Sequence, residues 1–112
     1  MYKLVAIIRP YLIDEVRDSL ADIGLQGLTV SDVKGFGRQK GQTEIYRGAE
    51  YSMDFVPKIM LEVLLNDQDL EACVETITTV VNTGKLGDGK IFISRIQQVI
   101  RIRTDETDEQ AL

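Results

Sequence analysis

Apolar and polar positions divide the chain into two similar halves, each with the order strand, helix, strand. In the first half, residues 4–8 are continuously apolar and end before Pro10, which predicts a strand buried on both faces. A helix that stops at Gly24 is predicted next. Its apolar positions repeat at helical spacing: Leu12, Ile13, Val16 and Leu20. Residues 28–33 then predict a second strand.

The second half begins with a predicted strand at residues 57–65, which are mostly apolar apart from Lys58 and Glu62. Asn66 or Asp67 would cap the following helix, which ends before Gly84. The buried face of that helix is expected to contain Leu70, Cys73, Val74, Ile77, Val80 and Val81. Residues 90–93 and 99–103 predict two more strands separated by a short turn.

This order predicts an α+β fold, a ferredoxin-like double βαβ sandwich whose four-stranded antiparallel sheet is covered on one face by two helices. Residues 1–112 are expected to form a single domain, because the chain is too short for two of ordinary size. The predicted strand at residues 57–65 is apolar on both faces, so part of the uncovered sheet face is expected to need a partner subunit.

The two halves are joined by a long segment, residues 34–56, that is rich in glycine and polar residues. It shows neither helical nor alternating periodicity. Because loops of this length are uncommon in compact domains, we expect an interaction loop at about residues 36–56.

Composition narrows the class of protein. With 44% hydrophobic and 28% charged residues, the chain is typical of a soluble globular protein. No apolar run approaches the roughly 20 residues that span a bilayer, and the opening residues lack a signal-peptide cleavage site. A single cysteine, Cys73, cannot form an internal disulfide, so we expect a cytoplasmic protein that meets membranes only through a partner.

Several kinds of site are excluded by residue content. The chain has no histidine and one cysteine, which rules out a zinc site or a histidine-based catalytic centre. Any metal must therefore be held by oxygen ligands. A net charge of −5 disfavours broad binding to nucleic acid, and the acidic tail at about residues 104–112 is expected to be solvated and mobile.

Positive charge and glycine gather at residues 83–92, whose sequence is TGKLGDGKIF. Glycine permits positive φ and a close approach of backbone N–H groups to a ligand, while Lys85 and Lys90 add charge. We therefore predict an anion cradle at about residues 82–90. Arg101 and Arg103 would lie on the same side of the predicted closing strand and would suit a triphosphate, although a solvated or ion-paired strand face is the alternative.

Two segments carry a resemblance to a known family, YRGAEY at residues 46–51 and TGKLGDGKIF at residues 83–92. They resemble the two signature patterns of the nitrogen-regulatory PII signal-transduction family. KGFGRQKG at residues 34–41, Pro57-Lys58 and VIRIR at residues 99–103 follow in the order and spacing of that family, so the resemblance covers nearly the whole chain. It implies a homotrimer with the sheets lining its interior.

The resemblance also implies a site for ATP or ADP between subunits. The matching residues for phosphates, ribose and adenine are Ile7, Thr29, Gly37, Arg38, Glu62, Leu64, Gly87, Asp88, Gly89, Lys90, Arg101 and Arg103. By pattern alone, Ile7 and Leu64 would be core residues and Thr29 an ordinary strand residue. Glu62 is different, because a charge inside an apolar strand is costly without a partner.

A second ligand, 2-oxoglutarate, is implied by the residues matching Gln39, Lys40, Gly41, Lys58 and Gly87. Gln39 would coordinate Mg²⁺, and Lys58 would pair with the distal carboxylate. A dianionic oxoacid beside a triphosphate needs a bridging hard cation, so MgATP should bind first and ADP should support the oxoacid poorly. By pattern alone, Lys58 would be a surface lysine and Gln39 a loop amide.

The family also suggests a covalent switch. Tyr51 matches a tyrosine that receives UMP or AMP in many relatives, although a role as a loop anchor is the alternative. Ala49 lacks the hydroxyl that is phosphorylated in some relatives. Arg9, Gln42 and Leu86 depart from the residues most frequent in the family, without altering the main set of charges.

The leading hypothesis is a non-enzymatic nitrogen-regulatory sensor whose long loop contacts target proteins. Candidate targets are an ammonium channel, a nucleotidylyltransferase, an amino-acid-biosynthetic kinase or a transcriptional regulator. A slow ATP-hydrolysing enzyme is one alternative, but the chain lacks a G-x-x-x-x-G-K-[ST] loop. A nucleic-acid-binding module would need exposed aromatic residues and a basic surface. Another nucleotide-binding regulatory module, or a trimer without ligands, is a further alternative.

Overall fold

The computed structural model describes residues 1–36, 43–46, 49–52 and 55–112, and for residues 43–46 and 49–52 it describes the backbone only. The strands are β1 (Tyr2–Ile8), β2 (Thr29–Phe36), β3 (Thr43–Tyr46), β4 (Ala49–Ser52), β5 (Phe55–Leu65) and β6 (Lys90–Arg95). The helices are α1 (Ile13–Asp22) and α2 (Leu70–Val81). Short 3-10 turns lie at Pro10–Leu12, Asp67–Asp69 and Asp108–Ala111.

The predicted ferredoxin-like α+β fold is confirmed. Four strands form one antiparallel sheet in the order β2-β5-β1-β6, so the first strand of each half is central and the second lies at an edge. The crossover helices α1 and α2 pack against each other on one face of this sheet. The opposite face, here called the open face, has no helix among the described residues.

The core lies between the sheet and the helices. Along β5 the residues alternate, and Ile59, Leu61, Val63 and Leu65 are buried against the helices, as strand geometry requires. The predicted apolar faces of both helices are also confirmed, because Val16, Leu20, Cys73 and Ile77 are fully buried. Burial, with a smaller effect of Asp69, raises the pKa of the Cys73 thiol to about 11, so the thiol stays protonated.

The end of α1 follows the prediction that Gly24 stops the helix. Gly24 has a φ of +89°, which glycine adopts without steric cost. Its N–H donates to the carbonyl of Ala21 at 2.9 Å, and the N–H of Leu25 donates to Leu20 at 2.9 Å. These two bonds satisfy carbonyls that the helix end would otherwise leave unpaired.

The start of α2 differs from the prediction. Neither Asn66 nor Asp67 makes a side-chain capping hydrogen bond, and the residue preceding the helix is Asp69. A 3-10 turn over Asp67–Asp69 precedes α2, and the Asp67 carboxylate accepts a hydrogen bond from the N-terminal amine of Met1 at 2.6 Å instead.

The predicted long loop between the second and third strands of the four-stranded sheet is confirmed, but its described parts include strands that the sequence pattern did not predict. β2 continues to Phe36 and β5 begins at Phe55, and these two residues pair across the sheet with ring centroids 5.5 Å apart. Between them, β3 and β4 pair antiparallel from Thr43↔Ser52 to Tyr46↔Ala49. Main-chain pairing therefore forms strands where the side-chain pattern gave no periodic signal.

The strand predicted at residues 99–103 is absent. Only an isolated bridge joins Ile100 to Thr107, because the chain turns at residues 102–104 and returns along itself. Most residues of the following tail are exposed, as expected, but its end is ordered against the rest of the chain. Its last turn, Asp108–Ala111, is a 3-10 helix, and Ala111 is only 9% exposed.

Among the described residues, no helix is long and apolar enough to cross a membrane.

Replacing Leu61 by alanine tests the position of the core. Leu61 is fully buried at the centre of β5, so Leu61→Ala should lower the free energy of unfolding by about 2–5 kcal/mol. The matched control is Tyr11→Ala, because Tyr11 is 72% exposed, and its effect should stay within about 0.5 kcal/mol. Urea denaturation measures both variants. Equal losses would contradict the described core.

Candidate functional site

One candidate site lies at the end of the sheet where β1, β2 and β5 approach the glycine-rich segment. We call it the loop pocket; its volume is about 280 Å³. It contains the predicted ligand-binding residues Ile7, Lys58, Gly87, Gly89 and Lys90. The pairing of Ile7 with Lys90 between β1 and β6 explains why residues so distant in sequence meet here.

The backbone of the glycine-rich segment is shaped as predicted. Gly84, Gly87 and Gly89 all have positive φ, between +77° and +96°. At Gly89 a side chain is also excluded by space, because an added Cβ would lie 1.7 Å from the carbonyl oxygen of Ile7. Glycine at this position therefore lets the loop lie directly against β1.

Asp88 holds this loop together from inside. Its carboxylate accepts hydrogen bonds from the backbone N–H groups of Thr83 and Gly84, both at 2.9 Å, and from the Thr83 hydroxyl. It also forms an ion pair with Arg9. The Thr83 hydroxyl, the Arg9 guanidinium and the two N–H groups hold the pKa of Asp88 well below its usual range. The side chain of Asp88, predicted to bind nucleotide, thus shapes the loop.

Arg9 is a contributor that the sequence analysis missed. Besides Asp88, its guanidinium donates to the Leu86 carbonyl at 2.7 Å and to the Thr83 hydroxyl at 3.3 Å. In sequence, Arg9 was visible only as a departure from the family pattern. Its partners lie more than 70 residues away along the chain, so no local pattern could identify this contact.

Lys58 is not the surface lysine that its sequence context allowed. It is 9% exposed, its stem packs beside Gly35, and its ammonium donates to the Gly87 carbonyl. Burial and then the charge of Arg9 lower the pKa of Lys58, while Asp88 opposes this effect. Arg9 pairs with Asp88 while Lys58 and Lys90 line the pocket, so positive charge exceeds negative charge among the side chains described here.

A second candidate site, here called the end groove, lies toward the other end of the open face and has a volume of about 830 Å³. It contains the predicted residues Thr29, Glu62, Leu64 and Arg101. Register places Thr29 directly opposite Glu62. The charge of Glu62 has a partner, because Lys3 lies 2.9 Å from its carboxylate.

Arg101 and Arg103 do not share a strand face, since the predicted strand is absent. Arg101 donates to the carbonyl oxygens of Ala111 and Leu112, at 3.1 and 3.2 Å. Arg103 is exposed and lies within the turn at residues 102–104. The tail thus supplies contacts for Arg101 that the sequence analysis did not anticipate.

The predicted nucleotide residues therefore form two groups within one chain. Lys58 and Glu62 both lie on β5, four positions apart, which corresponds to about 13 Å along a strand. One belongs to the loop pocket and the other to the end groove. The resemblance had assigned Lys58 to 2-oxoglutarate and Glu62 to the nucleotide, and sheet register now separates the two positions along β5.

Other predicted residues cannot be placed. Gly37, Arg38, Gln39, Lys40 and Gly41 lie outside the described residues. Tyr51 belongs to β4, but its side chain also lies outside the description. Within the described part of the chain, no group of three or more Asp, Glu, His or Cys side chains could hold a metal ion.

The sequence analysis also missed several wall residues. Gly35, Phe36 and Val56 line the loop pocket, and residues 24–28 line the end groove. Phe36 and Val56 lie in the segment predicted to be a loop, so the sequence pattern did not indicate that they belong to paired strands. The pairing of β2 with β5 carries them to the pocket.

Comparison with known proteins gives consistent matches over the chain. The family model described as Nitrogen regulatory protein P-II matches residues 1–106. Two proteins named Nitrogen regulatory protein P-II, from Pasteurella multocida (strain Pm70) and Rhizobium meliloti (strain 1021), are 53% and 55% identical to this chain. Nitrogen regulatory protein P-II 1 from Escherichia coli (strain K12) is 54% identical. Each alignment covers 100% of both chains.

Replacing Asp88 by asparagine tests the charge at the centre of the loop. Because the pKa of Asp88 is depressed in the folded protein, its stabilising effect is complete above the unfolded pKa of about 3.9. That effect is lost as pH falls from this value through the folded pKa. Asp88→Asn should therefore be less stable than the wild type at pH 7. The difference in stability between the two proteins should shrink in strong acid.

Thermal unfolding from pH 7 down to about pH 2 measures this difference. Asp22→Asn is the matched control, because Asp22 is an exposed aspartate at the end of α1, away from the loop. A pH-independent difference between Asp88→Asn and the wild type would contradict the assigned ionic role.

Proposed function

The chain belongs to the nitrogen regulatory protein P-II family, and we propose that it is a sensor that binds ATP or ADP and, together with MgATP, 2-oxoglutarate. Membership gives it a role in nitrogen regulatory signalling, within a family of regulators and not of enzymes. The observation that carries the proposal is the loop pocket, where Lys58 and Lys90 flank a loop that Arg9 and Asp88 hold in shape.

Phosphate groups suit this pocket for two reasons. Among the described side chains, the cations Arg9, Lys58 and Lys90 outnumber the carboxylate of Asp88, so an anion would restore the balance of charge. The positive φ values at Gly87 and Gly89 also remove side chains from the loop surface, which permits close approach to backbone N–H groups. We assign the polyphosphate to the loop pocket, with Lys90 as its principal side-chain donor.

The separation of the two sites supports assembly as a homotrimer. In a three-fold ring each interface joins two different patches, so the loop pocket of one subunit can face the end groove of its neighbour. The open face provides apolar surface for such contacts, since Leu64 is 43% and Phe92 is 50% exposed. Thr29, Glu62 and Leu64 of one subunit would then hold the adenosine whose phosphates lie beside Lys90 of the next.

Arg101 and Arg103 would complete the site from the neighbouring subunit. Their guanidinium groups would add charge near the phosphates without any need for a shared strand face. Arg38, with Gly37, would approach from the segment after β2. This arrangement retains the predicted roles of these residues while assigning them to different subunits.

The proposed site for 2-oxoglutarate is at Lys58. Its buried ammonium lies beside Gly87 and has Arg9 nearby, which suits a second carboxylate. Mg²⁺ usually keeps several waters and takes few protein ligands when phosphates are present, which fits a described donor set without a carboxylate cluster. Gln39 would supply the protein oxygen, with Lys40 and Gly41 beside it, and the ion would neutralise adjacent oxyanions.

The position of the loop pocket suggests how ligands would act on target proteins. Gly35, Phe36 and Val56 line the pocket and adjoin the two ends of the segment between β2 and β5. A ligand that binds one arrangement of this segment more tightly would shift its population. We propose that this segment contacts the target protein and that Tyr51, in β4, is its uridylylation or adenylylation position. The candidate targets remain the four classes named above.

Replacing Lys90 by methionine tests the phosphate site. Lys90→Met keeps the length of the side chain and removes its charge, so ATP should bind about ten-fold or more weakly. Lys85→Met is the matched control, since Lys85 is an exposed lysine of the same loop outside the pocket, and its effect should be small. Calorimetry measures both. Equal affinities for wild type and Lys90→Met would contradict the assignment.

Order of binding tests the second ligand. Calorimetry should detect 2-oxoglutarate binding in saturating MgATP and little or none without nucleotide, because Mg²⁺ and the phosphates form part of the site. Lys58→Met and Gln39→Ala should each abolish detectable binding. Lys34→Met provides the control, since Lys34 lies on β2 in register with Pro57 and outside the loop pocket. Binding of the oxoacid that is equally strong without MgATP would overturn the proposed coupling.

A further inference from the structure

The tail of the chain lies against residues assigned above to nucleotide binding. We call residues 108–112 the strap. Ala111 is buried, and the strap lines the end groove together with Thr29, Glu62 and Leu64. The described tail therefore occupies space beside the surface that would receive the adenosine of a nucleotide.

The strap also uses the hydrogen-bonding groups of Arg101. Nη2 of Arg101 donates to the carbonyls of Ala111 and Leu112, at 3.1 and 3.2 Å, and Nε lies 3.9 Å from the carboxylate of Glu106. A guanidinium binds phosphate best through two nitrogens at once. Both of its two-nitrogen edges include Nη2, so the strap occupies the nitrogen that such binding requires.

Specific contacts hold the strap in place. The N–H of Asp108 donates to the Val99 carbonyl at 2.8 Å, and the Asp108 carboxylate accepts from the Val99 N–H at 3.3 Å. Asp108 has a φ of +56°, a left-handed conformation that aspartate tolerates better than most residues. The reversal of the chain after Arg103 is thus a defined turn that returns the strap to Arg101.

The contacts of the strap with Arg101 are of a kind that a nucleotide can replace. The Ala111 acceptor is a neutral peptide carbonyl and the Leu112 acceptor is a single backbone oxygen, whereas a polyphosphate carries several charges and offers a guanidinium stronger, paired hydrogen bonds. The side chain of Arg101 is also 44% exposed, so an incoming anion can reach it. Exchange of the strap for a polyphosphate is therefore favourable at Arg101, although the strap contacts must first be broken.

We propose that the strap is an autoinhibitory segment that competes with nucleotide for Arg101 and for the end groove. This inference rests on the proposed function, because it assigns a regulator to the same nucleotide site. In the strapped state Arg101 cannot bind phosphate through two nitrogens. The apparent affinity for nucleotide therefore falls as the fraction of molecules in that state rises. A target protein or subunit contact that lifts the strap would raise the affinity for nucleotide.

The direct test compares ATP binding by the full chain and by a chain that ends at residue 107. Calorimetry should show that the shortened chain binds ATP about five-fold or more tightly, because two hydrogen bonds no longer compete. Equal affinities would overturn the strap while leaving the proposed function intact. Absence of ATP binding by both chains would overturn the proposed function and, with it, this inference.

Two full-length variants separate this effect from an effect on folding. Ala111→Asp places a charge at a buried position and should detach the strap, giving a similar gain in ATP affinity. Gln110→Ala is the matched control, since Gln110 is exposed and does not line the groove, and it should bind ATP as the wild type does. A gain in Gln110→Ala, or none in Ala111→Asp, would contradict the proposal.

Arg101→Ala identifies the group through which the strap acts. In this background, shortening the chain to residue 107 should raise ATP affinity less than it does in the wild type, because the competed guanidinium is gone. An undiminished gain would contradict competition at Arg101.

Discussion

The ion pair between Arg9 and Asp88 fixes the loop on which the candidate site depends. Asp88 also accepts two backbone N–H bonds and the Thr83 hydroxyl, so one carboxylate organises the whole turn. Arg9 joins that turn to the end of β1. Because Gly89 lies against the carbonyl of Ile7, the loop has no room to shift toward the strand. The position of Gly87 therefore follows from one charge interaction and one steric constraint, while strand pairing places Lys58 and Lys90 beside it.

Much of the fold could be predicted from the sequence because its determinants are local. The helical spacing of Val16 and Leu20, and of Cys73 and Ile77, identified both core faces correctly. The alternating pattern at residues 99–103 predicted a strand that does not form. The chain turns there, and only one isolated bridge pairs it. Alternation also failed near Phe36 and Phe55, which are held in strands by each other and not by a local pattern. Pairing partners, which sequence periodicity does not specify, decided both cases.

The candidate site was less predictable than the fold. Residue types indicated an anion site at residues 83–92, and the positive φ values there agree with that reasoning. The partnerships of Arg9 with Asp88, Lys3 with Glu62, and Arg101 with the tail join residues that no spacing rule connects. The division into a loop pocket and an end groove also depends on sheet register. This division is the basis for our proposal that neighbouring subunits contribute to one nucleotide site.

The central claim is that the loop pocket binds phosphates and that the end groove of a neighbouring subunit holds the rest of the nucleotide. A crystal structure of the protein grown with ATP and Mg²⁺ tests it most directly. The account predicts phosphate density beside Lys90 and the backbone of residues 87–89, with the adenine against Thr29, Glu62 and Leu64 of another subunit. A nucleotide bound away from the loop pocket, or held entirely by one subunit, would contradict it.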